Sequence, residues 1–287
     1  MIIYLKRNQI DILKYNECVS NSFQSRVYAY SWYLDIVCDN WDVLVKDDYQ
    51  AVMPLPKRKK YGIHYIYQAP WVQQLGVFSD VIVETSLVDR FIKSIPRKFK
   101  LIDVCLNSEN STDSSHAQLK DNYILPLNTN FNKIKDNYNK NRKRISKTDF
   151  SNFRIDKKGN ISEFLSLYKM QEVNYKTHKD SFEKLQNLLN ICNNHINIWN
   201  VYKNENLIAG LCWIKDHHRI TYLVPITTDE AKKDNIPTYI VNELIKAHIN
   251  TNYTLDFEGS MVEGVAKFYK SFGAGKETYF HLKKYII

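Results

Sequence analysis

The sequence predicts an α/β (α+β) protein of two domains, each with a mixed, mostly antiparallel sheet flanked by helices. Its 287 residues are enough for two domains of ordinary size. A hydrophobic content of 44% and a charged content of 25% are typical of a globular chain. The order of predicted elements also recurs, because each half contains helices, an antiparallel meander, a helix and a strand. We therefore expect domains at residues 1–128 and 129–287.

In the first half, apolar residues at helical spacing predict helices, and strand-like runs bounded by turn residues predict the sheet. The predicted helices are 8–22, 28–38 and 85–95. The predicted strands are 41–46, 49–57, 62–68, 99–106 and 123–127. The almost wholly polar stretch at 107–116 predicts a loop.

In the second half, a polar, mostly helical segment at 130–149 precedes a similar series. Its further predicted helices are 161–179, 181–193, 237–250 and 263–272. Its predicted strands are 153–156, 196–203, 207–215, 219–225, 254–257 and 278–285. Pro237 stands at the first turn of its predicted helix, a position that proline favours.

The positive charge is concentrated in the second half. Residues 1–128 hold 15 Lys and Arg against 14 Asp and Glu, whereas residues 129–287 hold 25 against 17. The net charge is therefore +1 in the first half and +8 in the second. This excess indicates either an anionic partner of the second domain or a solvated basic face.

Cysteine usage and hydropathy predict a cytoplasmic protein. The five cysteines lie far apart and form no CxxC motif, so we expect reduced thiols and no metal site. The short apolar run at the start precedes its basic residues, the reverse of a signal peptide. No uninterrupted apolar stretch approaches 18 residues, so no membrane span is expected.

Residues 254–274 (TLDFEGSMVEGVAKFYKSFGA) contain the most informative pattern. Alternation along the strand places Asp256 and Glu258 on one side at its end. The following helix has a core stripe at Val265, Phe268 and Phe272. A carboxylate at the strand end is a candidate base that accepts a proton from an attacking amine, directly or through water.

This helix resembles the signature helix of the GNAT acetyltransferase superfamily, which has a pattern like AxxFYxxxGF. Phe268 and Tyr269 match its central pair, Phe272 and Gly273 follow, and Val265 stands at the alanine position. The resemblance implies GNAT-like domains and a tyrosine, here Tyr269, that protonates the leaving thiolate of coenzyme A.

The same helix is similar to the Fem-type transferases, which are tandem GNAT domains with a pattern like GLxxFKxxFG. Those enzymes move amino acids from aminoacyl-tRNA to peptidoglycan precursors. Here Tyr269 replaces the lysine of that pattern, and Lys270 stands one residue late. The replacement favours the GNAT-type tyrosine, and Lys270 becomes a candidate substrate contact.

The first half resembles a group of uncharacterised bacterial proteins of the same superfamily at 30–34 (YSWYL), 53–56 (MPLP) and 73–79 (QQLGVFS). Near the last of these, Trp71, Gln73 and Gln74 lie in a predicted loop after a strand. Such loops commonly line binding clefts, where glutamine amides hold a peptide or sugar and a tryptophan stacks. The alternative is a loop packed on its own domain.

Two segments bear on the acyl donor. GNAT enzymes that bind acetyl-CoA usually hold its pyrophosphate with a glycine-rich loop, but the matching segment here, 227–237 (TTDEAKKDNIP), has no glycine. Lys232 and Lys233 are its candidate phosphate ligands. Acyl-CoA is the expected cofactor, although the sequence carries no glycine-rich signal for it.

The second of these segments, residues 132–147, contains seven basic residues against one acidic residue. It resembles a basic motif of Fem-like proteins, NxRRxIxKA. Arg142 and Lys143 in this segment are candidates to neutralise nucleotide or tRNA phosphates. The alternative is an exposed helix face. No helix-turn-helix or zinc-finger spacing accompanies it, so DNA is not an expected partner.

Three functions remain open. The first is an N-acyltransferase that moves an acyl group from an acyl-CoA-type donor to the amine of a small molecule or peptide, with Tyr269, Asp256 and Glu258 as catalytic candidates. The second is a Fem-type transferase that depends on aminoacyl-tRNA. The third is a non-catalytic binding protein on the same fold.

Overall fold

The computed structural model describes residues 1–172, 180–191, 195–259 and 261–286. The chain forms two compact units. The first unit contains Met1–Asp121 and Glu277–Ile287, and the second unit contains Asn122–Lys276.

The first unit is built on an antiparallel meander that ends in a parallel pair. Its helices are α1 (Ile12–Asn21), α2 (Ser31–Val37) and α3 (Thr85–Ser94). Its strands are β1 (Ile2–Lys6), β2 (Trp41–Lys46), β3 (Ala51–Lys60), β4 (Ile63–Ile66), β5 (Phe78–Ser79) and β6 (Phe99–Cys105), with most of β13 (Gly275–Tyr285). The strand order is β1-β2-β3-β4-β6-β13, and β5 pairs with β3.

The second unit repeats this plan. Its strands are the end of β7 (Ala117–Pro126), β8 (Phe153–Asp156), β9 (Ile196–Lys203), β10 (Asn206–Lys215), β11 (Arg219–Thr227) and β12 (Thr254–Asp256), in the order β7-β12-β11-β10-β9-β8. Its helices are α4 (Phe131–Asp136), α5 (Lys140–Ile145), α6 (Ile161–Glu172), α7 (Ser181–Ile191), α8 (Asp229–Lys233), α9 (Ile236–Lys246) and α10 (Glu263–Lys270). The predicted mixed, mostly antiparallel sheets flanked by helices are confirmed.

In each unit the fourth strand of the meander pairs in parallel with a later strand for only a few residues. In the first unit, β4 pairs with β6 up to Ile66 and Ile102. In the second, β11 pairs with β12 up to Thr221 and Asp256. Beyond these residues the pairing ends, and we call the space that follows the wedge of that unit.

The core of the second unit lies on the sheet beneath α9 and α10. Strand β10 is buried along almost its whole length, as expected for a central strand that is covered on both faces. Trp199 and Trp213 on the central strands, Phe257 and Phe272 belong to one continuous apolar cluster. This cluster provides the rigid support on which the cavity described below is built.

The last strand differs from the predicted domain division. Residues 278–285 do form a strand, but it belongs to the first unit rather than to the domain predicted at 129–287. Strand β13 pairs antiparallel with β6, from His281 opposite Cys105 to Tyr285 opposite Leu101. Hydrogen bonds to a strand far away in the chain decide this placement, and local sequence carries no sign of them.

The mostly helical segment predicted at 130–149 contains two helices, α4 and α5, because Asn139 caps a new helix and its Oδ1 accepts the Arg142 N–H at 2.8 Å. The strand predicted at 254–257 ends at Asp256, and Glu258 has a left-handed backbone with φ 59°. The predicted helix ends at 173–179 and 192–193 lie outside the described residues.

Four cysteines (Cys18, Cys38, Cys105 and Cys212) are buried free thiols, and Cys192 lies outside the described residues.

Candidate active site

The wedge of the second unit exposes one edge of β11. The N–H of Thr228 donates to the carbonyl of Ile208 at 3.0 Å. Because backbone groups alternate along an antiparallel strand, those of Val224 and Ile226 point towards β10, and those of Pro225 and Thr227 point away from it. Proline has no N–H, and at position 225 it removes no ladder bond because β12 has already ended. The N–H of Thr227 therefore faces the wedge.

A cavity of about 470 Å³ opens at this wedge. Strand β11 forms one wall and helices α5, α9 and α10 form the others. The lining residues include Arg142, Ile145, Tyr222, Pro225, Thr227, Lys232, Thr238, Ile240, Val265, Phe268 and Tyr269. This volume is within the usual range of small-molecule sites, and a mainly apolar wall with a few polar groups is their usual chemistry.

Tyr269 is held in the cavity wall by aromatic packing. It lies on α10, and its ring stacks on Phe257 with centroids 4.6 Å apart and meets Tyr222 nearly at right angles. Its hydroxyl makes no hydrogen bond to another described residue. Burial, with the negative charges of Glu258 and Asp256, raises the pKa of Tyr269 well above its usual value. The phenol therefore keeps its proton at neutral pH.

Tyr222, on β11, places a second buried phenol on the same wall. Burial raises its pKa strongly, and the neighbouring Tyr269 adds to this shift. Its ring packs edge-on to Phe257, with centroids 5.7 Å apart. An aromatic cluster thus holds two protonated tyrosines in the cavity wall.

Arg142 enters the cavity wall from α5 and is only 7% exposed. Its Nε donates to Ser271 Oγ at 2.9 Å and its Nη1 donates to Thr238 Oγ1. Its guanidinium lies 4.6 Å from the ring of Phe268 and 4.5 Å from that of Phe272. Burial lowers the pKa of Arg142 to about 10, which still leaves it charged at pH 7.

Asp256 does not line the cavity. It is 1% exposed, and its Oδ2 accepts from Arg219 Nη1 at 2.7 Å. Its Oδ1 accepts from Asn122 Nδ2 at 3.0 Å and from the Glu258 N–H at 2.9 Å. With both oxygens engaged, this carboxylate is placed to hold the turn after β12.

Glu258 is half-buried at that turn, and the left-handed backbone continues into Gly259. A non-glycine residue in this conformation is strained, and such strain clusters at functional sites. Its carboxylate is close enough to raise the pKa of Tyr269. Of the two predicted carboxylates, Glu258 is thus the one whose charge contributes most to this shift, ahead of Asp256.

The segment after β11 offers few phosphate-binding groups. Helix α8 fills it, and Thr228 caps that helix with its own side chain. At the start of α9, Pro237 has no N–H, and the N–H groups of Thr238 and Tyr239 donate to the carbonyl of Asn235. A GNAT loop donates backbone N–H groups at this position to pyrophosphate, whereas here the N–H groups of Thr238 and Tyr239 donate within the chain.

The predicted lysine ligands are divided between the cavity rim and the surface. Lys232 lines the cavity and its Nζ pairs with Asp229 at 2.9 Å. Lys233 is exposed and lies outside the lining. Lys143 is exposed on α5, where its Nζ donates to the carbonyl of Asp136. Lys270 is exposed, with its Nζ 5.2 Å from the ring centroid of Tyr123.

Trp71, Gln73 and Gln74 lie in the first unit, in the loop between β4 and β5. Gln74 is fully buried, its Nε2 donates to Gln73 Oε1, and its Oε1 accepts the Ser108 N–H at 3.0 Å. The carbonyl of Trp71 accepts from the Tyr33 hydroxyl. These contacts shape the loop, and the three residues are not part of the second-unit cavity.

Comparison with solved structures gives the same architecture along the whole chain. A crystal structure of FemX superposes with a TM-score of 0.71, covers 98% of this chain and 97% of its own, and is 10% identical. A tandem GNAT protein from the clavulanic acid biosynthesis pathway gives 0.57, with 99% and 98% covered and 6% identity. The chain has the tandem GNAT-like, FemX-type fold. No protein-family model and no curated protein matches the sequence.

The tandem GNAT-like fold also occurs in a conserved protein of unknown function from Bacteroides thetaiotaomicron. That structure superposes with a TM-score of 0.60 at 13% identity, covering 99% of this chain and all of its own. At these identities the likeness establishes the fold alone. The resemblance read from Val265, Phe268, Tyr269, Phe272 and Gly273 is thereby confirmed at the level of the fold.

Within this tandem GNAT-like fold, sequence reasoning missed Tyr222, Pro225 and Thr238. Tyr222 lies in a strand that reads as ordinary core, and Thr238 lies in a helix. A proline inside a central-strand pattern was the one available signal, because it requires an edge without a hydrogen-bonding neighbour.

In the described ranges, no group of three or more His, Cys, Asp or Glu residues is placed to hold a metal ion. The same ranges contain no helix with both the length and the apolar character needed to cross a bilayer.

Proposed function

We propose that this chain is an N-acyltransferase that moves an acyl group from an activated ester or thioester to an amine, in the second-unit cavity. The observation that carries the proposal is the buried Tyr269 hydroxyl, which makes no hydrogen bond to another described residue and lies at the open wedge of a tandem GNAT-like fold.

The reaction follows from the groups on the cavity wall. The neutral nitrogen of the acceptor attacks the donor carbonyl carbon, a C–N bond forms, and the carbonyl electron pair moves to oxygen. The Thr227 N–H, which faces the wedge, is the backbone donor for this oxyanion. When the intermediate collapses, the C–S or C–O bond breaks and Tyr269 gives its proton to the leaving sulfur or oxygen.

The nitrogen of the product then carries one proton too many. The tyrosinate recovers this proton, directly or through water, which restores Tyr269. Glu258 is the carboxylate we assign to assist this proton transfer from the nitrogen to the tyrosinate, because its charge acts on the Tyr269 hydroxyl. Asp256 is assigned a positioning role, since Arg219, Asn122 and the Glu258 N–H occupy its oxygens.

Acyl-CoA is the first candidate donor, with Tyr269 acting on its thiolate and Lys232 and Lys233 near its phosphates. An aminoacyl-tRNA is the second candidate. It is favoured by Lys140, Lys143 and Arg144, which are exposed on α5 beside the cavity-lining Arg142, and by the small number of backbone donors at the start of α9.

A donor screen separates these candidates. Thermal unfolding is measured with a series of acyl-CoA thioesters, and tRNA binding is titrated at increasing salt. Stabilisation by a thioester supports the first donor, since a ligand that binds the native state raises the unfolding temperature. Salt-dependent tRNA affinity supports the second. If neither the thioesters nor tRNA has an effect, the result would favour a non-catalytic protein.

The central role is tested with Tyr269→Phe. We expect kcat to fall about 100-fold with the identified donor, because loss of a positioned general acid typically costs at least that much. The matched control is Tyr239→Phe, since Tyr239 stacks on Phe150 in the same unit and is outside the cavity lining. Unchanged turnover in Tyr269→Phe would remove the proposed mechanism.

A further inference from the structure

Arg142 has a buried positive charge that the described part of the chain does not neutralise. Its hydrogen-bond acceptors are the hydroxyls of Ser271 and Thr238, and its other close contacts are the rings of Phe268 and Phe272. None of these groups carries a negative charge. A buried ion without a counter-ion is costly, which makes this arrangement informative.

The ion pair between Arg219 and the buried Asp256, also in the second unit, shows the usual solution. Arg219 is paired with Asp256, whose second oxygen accepts two further hydrogen bonds. The charge of the partly buried Arg219 is thus neutralised from within the chain. At Arg142, the described residues supply only neutral acceptors, and the guanidinium lies on the cavity wall.

The N–H groups still available on Arg142 match a planar anion. Nε–H and one Nη1–H are used by Ser271 and Thr238, which leaves the other Nη1–H and the Nη2–H groups. Neighbouring guanidinium donors of this kind bind both oxygens of a carboxylate at once. The two aromatic rings and the two hydroxyls hold the guanidinium in one orientation before any ligand arrives.

The charge of the lining sets the charge of the ligand. Among the described lining residues, the ionisable groups are Arg142, Lys232 and the two protonated tyrosines, and Lys232 already pairs with Asp229. The uncompensated charge of the wall is therefore that of Arg142. A carboxylate carries one negative charge, whereas a phosphate monoester carries nearly two at pH 7 and would leave charge unbalanced.

Apolar side chains share the cavity wall with Arg142. Ile145 lies on its own helix, and Val265 and Phe268 lie on α10. A ligand bound at the guanidinium would share the cavity with these side chains.

We propose that Arg142 is the receptor for a carboxylate at the end of an apolar segment of the substrate. This inference deepens the proposed function, on whose cavity it rests, by naming the substrate class. The carboxylate belongs either to the acyl group or to the amine acceptor.

The test measures binding rather than turnover, so its outcome is separate from that of the transferase proposal. Ligand-observed NMR titrations of the unmodified protein compare hexanoate with 1-hexanol, which has a similar chain and no charge. We expect hexanoate to bind at least tenfold more tightly. Equal affinities would overturn the proposal without any variant being made.

Two variants then assign the effect. Arg142→Met keeps the apolar stem and removes the charge, so we expect the preference for hexanoate over hexanol to disappear while hexanol still binds. Lys147→Met removes the same charge from the exposed residue that follows α5 by two positions, and should leave the preference intact. An equal loss in both variants would indicate a diffuse surface effect and overturn the assignment.

Two further probes identify the source of the carboxylate. Norleucine carries it beside the amine, as an acceptor would, and monomethyl adipate carries it at the far end of an acyl chain. The probe whose affinity falls at least tenfold in Arg142→Met names the source. If neither affinity changes, the receptor role is excluded.

Discussion

The two units build the same wedge and fill it differently. In the first unit, the chain itself occupies the space beyond Ile66 and Ile102. Gln68 accepts the Cys105 N–H at 2.8 Å, donates to the carbonyls of Val72 and Gln73, and so holds the following loop in place.

The loop then closes the first-unit wedge as a strand would. The Leu75 N–H donates to the carbonyl of Cys105 at 2.8 Å, and Leu75 forms a parallel bridge with Leu106. In the second unit, no described strand continues β12 beside Pro225 and Thr227, and a cavity of about 470 Å³ lies there. The comparison shows that the wedge comes from strand order, whereas its capacity to bind depends on what the next segment does.

The largest expected effect concerns the two sides of β11. Val224→Pro removes an N–H that faces β10, and we expect it to lower the free energy of unfolding by about 3 kcal/mol or more. Pro225→Ala changes a residue that faces the wedge, and should cost less than about 1 kcal/mol through unfolded-state entropy alone. Urea denaturation of both variants measures this contrast, and similar losses would contradict the open edge.

Removing the Gln68 side chain, which holds the loop that closes the first-unit wedge, should have the next largest effect on the free energy of unfolding. Gln68→Ala leaves the Cys105 N–H and two carbonyls without their partner, and we expect a loss of about 2 kcal/mol in the free energy of unfolding. The matched control is Gln118→Ala at an exposed position of β7, expected within about 0.5 kcal/mol of the unmodified protein. Equal stabilities of the two variants would mean that Gln68 does not close this wedge.

Filling the second wedge should affect binding more than stability. Val265→Trp introduces a large ring at the edge of the cavity, and we expect the affinity for hexanol or hexanoate to fall at least tenfold. Lys267→Trp adds the same ring two residues later on the exposed side of α10 and serves as the control. If both variants bind normally, the ligands do not enter this cavity.

The smallest expected effect is an absence of pH dependence. Burial and two nearby carboxylates raise the pKa of Tyr269, so its proton stays bound as the pH rises through the usual tyrosine value of about 10. Once a donor is identified, kcat should therefore show no alkaline decline below pH 10 that depends on this residue. A decline that is present in the unmodified enzyme and absent in Tyr269→Phe would show that Tyr269 ionises earlier than expected.

Local patterns were sufficient for most elements and for the identity of the key helix. Alternation and helical periodicity predicted the sheets, and the pattern around Phe268 and Tyr269 indicated both the fold and the residue that faces the cavity. Pairing was harder, because hydrogen bonds between distant strands leave no local mark. For this reason the division predicted at residue 128 did not anticipate the pairing of β13 with β6, and the choice between a cleft and a packed loop at Gln74, which is buried in its own unit, could not be made from local sequence.

The sequence by itself determined the two α/β units and the basic second half, since these follow from composition and periodicity along the chain, and its resemblance to the GNAT signature helix made Tyr269 a candidate. Only the tertiary structure decided which of the seven basic residues at 132–147 is buried in the cavity wall. Arg142 and Lys143 are adjacent and similar in charge, yet one lies in a cavity wall and the other in solvent. The direction in which a short helix presents each side chain made that choice, and it depends on what packs against the helix.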